Sequence, residues 1–216
     1  MRINYTVLKF DNINLNTRQG VKLRGFFANK YKDEELMHNH KGDKLVFKYP
    51  KVQYKVIDNV PIVCGIENGA SVLAKAGFEI DSLNIEGKNI KVVQKHIMKK
   101  LIEFGVTGDY IRYKFVTPWI ALNQKNIIEY KRSNEIEREE LLKKILVGNI
   151  LSMAKGLDYI VDKKISVWLH IDSVNVNFKN IEMLGFIGEF KVNFDIPDYF
   201  GVGKSVSRGF GTVIRL

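Results

Sequence analysis

The chain alternates between two hydrophobic periods, and it does so in each half. That restricts it to architectures in which helices lie on sheets. Ile3, Tyr5 and Val7 recur at every second position, as on a strand. Residues 17–30 then carry Val21, Leu23, Phe26 and Phe27 at helical spacing. Short strands follow at 45–47, 52–56 and 60–66, after a polar stretch at 31–43 and with Pro50 between the first two. Residues 68–76 read as a helix with Gly77 just past its end, and Phe78, Ile80 and Leu83 begin another strand.

The second half repeats the rhythm. Residues 110–116 form a strand that Pro118 is expected to interrupt. A helix over 134–155 carries the strongest local signals of the chain: Asn134 as cap, Glu137 completing a capping box, and Gly156 as stop. Its apolar stripe is Leu142, Ile145, Leu146, Ile150 and Met153. Residues 165–178 and 184–196 read as two long strands turning near Asn180, and a glycine-rich loop at 201–211 leads into a last strand at 212–216. The fold class expected is α+β, with two tandem ferredoxin-like domains of the split βαβ type that RNA recognition motifs also share. The junction is expected within 86–108, at Gly87, Gly105 and Gly108, with domains at 1–87 and 88–216.

Composition narrows the function classes. With 216 residues, 45% of them hydrophobic and 27% charged, the chain has the make-up of folded domains rather than disordered ones. Lys and Arg outnumber Asp and Glu by 34 to 24, a net charge of +10 that favours a polyanionic partner, nucleic acid first. A single cysteine, Cys64, in an apolar strand excludes an internal disulfide and a thiolate metal cluster, and points to a reducing, cytoplasmic setting. No apolar run approaches the ~18 residues of a membrane span, and no signal-type apolar segment precedes the first strand. No helix-turn-helix or basic amphipathic helix supports a DNA-binding or membrane-surface role.

The loop at 198–216 imitates three known motifs and matches none. Gly201-Val202-Gly203-Lys204-Ser205 looks like a Walker phosphate loop, but Asp198 stands where that motif needs its first glycine. Val206 occupies the third glycine position of the dinucleotide pattern. Arg208-Gly209-Phe210-Gly211 approaches the aromatic sheet motif of RNA recognition motifs, yet Thr212 replaces a stacking aromatic. What remains is G-x-G-x₅-G-x-G, formed by Gly201, Gly203, Gly209 and Gly211, with Lys204, Ser205, Ser207 and Arg208 between them. Two readings stand: backbone N–H groups converging on phosphate, or a tight strand connection.

GVGKSVSRGFG followed by a strand resembles the glycine-rich signature of the CRISPR repeat-associated (RAMP) superfamily. With two ferredoxin-like halves and histidines in the loop after the first helix, the chain is similar to that superfamily's repeat-processing endoribonucleases. The resemblance implies cleavage of CRISPR precursor RNA within repeats, without metal or cofactor, giving a 5′-hydroxyl and a 2′,3′-cyclic phosphate (or 3′-phosphate). It implies RNA binding by the eight loop residues named above and single-stranded or weakly structured repeat RNA as partner. A homodimer and association with a CRISPR effector complex stand as open expectations, as does the rival of a non-catalytic guide-RNA-binding subunit.

Of four histidines, His38 and His40 fit the chemistry. Between Arg18 and Lys55 ten basic residues face four acidic ones. An extended i, i+2 pair would put both imidazoles on one face. RNA cleavage by its own 2′-hydroxyl needs a base and an acid, and imidazole serves as either near neutrality. Lys30 and Tyr31 are the expected helpers because members of the family pair histidine with lysine and tyrosine; Tyr49 and Lys51 are alternatives. The letters of His38-Asn39-His40 spell the HNH nuclease name, but those residues are dispersed in that motif. A zinc or manganese site using Asp33, Glu34 or Glu35 needs more than a histidine pair. Two solvated histidines are the plain alternative. His170, within a strand, reads as structural or RNA-facing, and His96 as a surface residue.

Overall fold

A computed structural model describes the chain except residues 39, 42–43, 46–48 and 179–180; the side chains at 38, 40–41, 44–45 and 178 also lie outside the described part. Two compact units are present: residues 2–103 with 206–209, and residue 1 with 104–205 and 210–216.

In the first unit, β1 (Arg2–Lys9) leads through a 3₁₀ turn at Thr17–Gln19 into α1 (Gly20–Lys30). A short α2 (Glu35–His38) and the two-residue strands β2 (His40–Lys41) and β3 (Lys44–Leu45) follow. Then come β4 (Val52–Ile57), β5 (Val60–Ile66), α3 (Asn68–Glu79), the hairpin β6 (Ser82–Ile85) and β7 (Lys88–Lys91), and β8 (His96–Glu103). The main sheet has the order β4-β5-β1-β8, antiparallel throughout, which is the strand order of a ferredoxin-like fold. One sheet face, carrying Leu8, Tyr54 and Val63, forms a core with Leu23 and Phe27 of α1 and Leu73 and Ala76 of α3.

Two expectations are corrected here. Gly77 does not end its helix: α3 runs on to Glu79, and a Cβ at Gly77 would stand 3.0 Å from Ile97 Cδ1 and 3.5 Å from Leu8 Cδ1. The glycine is there to let α3 approach the sheet, so Phe78 is helical rather than the start of a strand. Gly87 marks no junction either. Glu86 (φ +55°) and Gly87 (φ +81°) make the tight turn of the β6–β7 hairpin. Because β8 pairs along the whole of β1, from Arg2↔Glu103 to Lys9↔His96, the division falls at 103/104 rather than at 87/88.

The second unit contains β9 (Gly105–Trp119), α4 (Gln124–Arg132), α5 (Glu135–Gly156), β10 (Val167–Phe178), β11 (Ile181–Asp195) and β12 (Val213–Arg215). Its sheet order, β10-β11-β9-β12, is again antiparallel and again ferredoxin-like. Where the first unit has α3, this one has the glycine-rich loop. The Asn134–Glu137 capping box forms as expected, and Leu142, Leu146, Ile150 and Met153 are buried. Gly156 is the last helical residue, and Asp158 takes the left-handed turn (φ +56°). Pro118 does not break β9: it sits beside a register shift between Phe186 and Gly188, where a missing N–H costs no ladder bond. Helix α4 carries too few apolar residues to show from sequence; Asn123 caps it through the N–H groups of Lys125 and Asn126. No helix among the described residues is long and apolar enough to cross a membrane.

Candidate active site

The histidine segment is held by the core of the first unit. Met37, one residue before His38, is buried among the apolar side chains under the sheet. Tyr54 on β4 reaches it from below, its hydroxyl donating to the Met37 carbonyl at 2.7 Å and lying 3.5 Å from the Met37 sulfur. Burial pushes the Tyr54 phenol well above its usual range, so it is a fixed donor. Tyr54 was not among the sequence candidates, because a tyrosine at an inward strand position reads as core; only the hydrogen bond shows its second task.

His38 closes a helix and His40 opens a strand paired with Leu45. The shared face depended on an extended segment, and at His38 the backbone is helical. The histidine side chains themselves lie outside the described residues. Lys30 ends α1 and is exposed. Tyr31 follows it, with its ring 6.2 Å from Phe27 and its hydroxyl donating to the Ala76 carbonyl at 3.4 Å. Burial, then Glu79 beside it, pushes the Tyr31 phenol up to about 12. It can donate a proton bond at neutral pH but does not serve as a base there. Of the alternatives, Lys51 uses its carbonyl to receive the Ile66 N–H, and Tyr49 is half-buried.

The glycine-rich loop is tightly built. Val202 N–H donates to Gly211, Gly209 N–H to Val206, Gly211 N–H to Pro118, and Thr212 N–H to the Thr117 hydroxyl. These four donors are satisfied within the protein, so they do not form a phosphate cradle. Gly203 (φ +97°) packs over Trp119 and Asn149, and Gly211 (φ +61°) packs against the Val202 carbonyl; no side chain fits at either place. Gly201 bridges to Thr212, and Ser205 also has a positive φ. Lys204 donates to the Leu122 carbonyl at 2.8 Å, and burial lowers its pKa. Ser207 and Arg208 lie in a 3₁₀ turn, Val206–Arg208, which belongs to the first unit with Gly209. There Arg208 stands near Arg24 of α1, whose guanidinium pKa is lowered by half-burial first and by Arg208 second. Two fixed cations brought together this way favour an anion between them.

The same unit buries Lys55 completely. Its ammonium donates to Gln53 Oε1 at 2.9 Å, and burial pushes it down to about 8, with the Cys64 thiol acting the other way. His96 pairs with Asp11 at 2.5 Å on the surface, and His170 is exposed on β10.

Family models describing the Cas6b N-terminal domain and the Cas6b C-terminal domain match residues 1–103 and 105–216. An uncharacterized protein of Methanocaldococcus jannaschii is 51% identical over 140 residues, covering 64% of this chain and 95% of its own. A crystal structure of Cas6b is 47% identical and superimposes with a TM-score of 0.96 over all of both chains. A second, of a CRISPR RNA processing endoribonuclease Cas6b, is 43% identical with a TM-score of 0.82, again over all of both. Matched by both domain models along its length and by solved relatives from end to end, the chain belongs to the Cas6b family.

Proposed function

We propose that the protein is a cytoplasmic endoribonuclease that cuts CRISPR precursor RNA within its repeats. The observation that carries the reading is the end-to-end match, at 43% identity, with a Cas6b solved as a CRISPR RNA processing endoribonuclease. In this reading His38 and His40 are the acid–base pair. One removes the proton of the 2′-hydroxyl, whose oxygen attacks the adjacent phosphorus. The other protonates the departing 5′-oxygen, leaving a 2′,3′-cyclic phosphate and a 5′-hydroxyl. Lys30, exposed at the end of α1, supplies positive charge to the extra negative charge on phosphate in the transition state. Tyr31 assists only as a donor, because its phenol is held near 12. Arg24 and Arg208 hold the flanking phosphates, supported by their closeness in the first unit.

The test is incubation of the purified protein with end-labelled repeat RNA in EDTA, followed by end-group analysis. One cut giving cyclic phosphate and 5′-hydroxyl ends is expected, abolished by a 2′-deoxy nucleotide at the scissile position. Cleavage of the deoxy RNA at the same bond would refute internal attack. Tight binding without any cleavage would leave the guide-RNA-binding subunit as the function.

A further inference from the structure

The sheet of the second unit has an outer face unlike its inner one. The inner face pairs Tyr113 with Phe190 and Leu169, and its tyrosine and phenylalanine are buried. On the outer face, Arg112, Lys191 and Trp168 stand in register across β9, β11 and β10, with Lys114, Glu189 and His170 in the next row. Trp168 and Tyr110 are each half exposed, and their rings meet edge-to-face at 4.3 Å over β11. Together with Arg112, His170, Glu189 and Lys191 they line an open groove of about 570 Å³. That is within the ~300–1,000 Å³ range of small-ligand sites.

An indole on a solvated sheet face buries little, so folding does not account for its position. Two aromatic rings joined at an open groove do have a use, as a ledge for a flat π-surface. Charge decides what flat group it takes. The only carboxylate lining the groove, Glu189, is held by Arg112 at 2.6 and 2.9 Å. Lys191 and Lys114 make no ion pair among the described residues and leave the face positive. A flat ring beside cations matches a nucleotide: the base on the indole, its phosphate on the lysines.

We propose that the outer face of β9, β10 and β11 is a base-stacking subsite for single-stranded RNA, with Trp168 as its platform, Tyr110 as its wall and Lys191 as its phosphate contact. The inference rests on the RNA-cutting reading for its substrate and extends it to a surface formed wholly within the second unit. It locates RNA on a sheet face as well as at the histidine segment and the glycine-rich loop.

The test uses the full-length protein and two probes: repeat RNA made uncleavable by a 2′-deoxy nucleotide at the cut site, and a mixed-sequence single strand of about 16 nucleotides, the upper range of a single-strand site. Of the two tryptophans, Trp119 is fully buried, so quenching on adding RNA reports Trp168. Wild-type emission is expected to be quenched. Trp168→Ala should weaken both complexes about 5- to 100-fold, the loss of one stacked base, with the salt dependence unchanged. Trp168→Phe should recover most of the affinity. If Trp168→Ala binds both RNAs within about twofold of the parent, or RNA leaves the emission unaltered, the subsite does not exist. A shift in sedimentation of Trp168→Ala with intact RNA affinity would make the face a protein contact instead. If the wild type binds RNA through Trp168 yet never cuts repeat RNA, the subsite stands and the nuclease reading falls.

Discussion

The hydroxyl of Tyr54 donates to the Met37 carbonyl at 2.7 Å, and Met37 is the last residue before His38. A buried strand residue thus sets where the histidine segment leaves the core. Tyr54→Phe keeps the ring and removes the bond, leaving a buried carbonyl without this donor, at a cost of about 1–3 kcal/mol. We expect slower single-turnover cleavage with RNA affinity unchanged. An unaltered cleavage rate in a destabilised Tyr54→Phe protein would confine the residue to stability.

For the histidines, removal of a positioned acid or base lowers the rate about 10²–10⁴-fold. His40→Ala and His38→Ala should each reach that range while RNA binding changes little. The double variant should lose less than the product of the two, as groups acting in one step do. Parental cleavage by the double variant would remove both from the mechanism.

Arg24 and Arg208 are brought together by α1 and the turn at Val206–Arg208. Each phosphate contact to a single strand contributes about 0.7 to the slope of log affinity against log salt. Replacing both with alanine should therefore lower that slope by about 1.4 and weaken binding most at low salt. A slope equal to the parent's would place neither on phosphate.

Gly203 has no room for a side chain: a Cβ would stand 2.6 Å from Trp119 Nε1 at a φ of +97°. Strain at such a backbone and overpacking together cost about 2–4 kcal/mol. Gly203→Ala should lower the urea midpoint of unfolding, and its RNA binding should fall only as far as folding does. Normal stability with lost RNA binding would return the glycine to a phosphate-approach role.

Lys55 gives the stability a pH dependence. Folded, it loses its proton near 8; unfolded, it keeps it until about 10.5. Between those values the unfolded chain binds more protons, so stability rises with pH, by up to roughly 3 kcal/mol across the window. Lys55→Met removes this slope, and its stability relative to the parent should fall steadily from pH 8 to 10.5 in urea titrations. Parallel curves would show that folded Lys55 keeps its proton to as high a pH as the unfolded chain does.

Local pattern was enough for much of this molecule. The alternation at Ile3, Tyr5 and Val7, the Asn134–Glu137 capping box and the long strands around 167–195 are decided by neighbours a few residues apart, and they appear where the sequence places them. The doubled rhythm and the glycine signature were likewise legible, and with them the ferredoxin-like class and the family. Tertiary structure decided the rest. Gly77 reads as a helix end because glycine usually is one, but the closeness of Ile97 and Leu8 makes it a packing position. Residues 88–103 join the first unit because β8 finds its partner in β1, nearly a hundred residues earlier. Tyr54 and Met37 lie 17 residues apart, Tyr110 and Trp168 on strands separated by a third, and Arg24 and Arg208 at opposite ends of the chain. No period in the sequence records such meetings. They follow from which strand edges pair and which faces are covered, and those are settled only when the whole core closes.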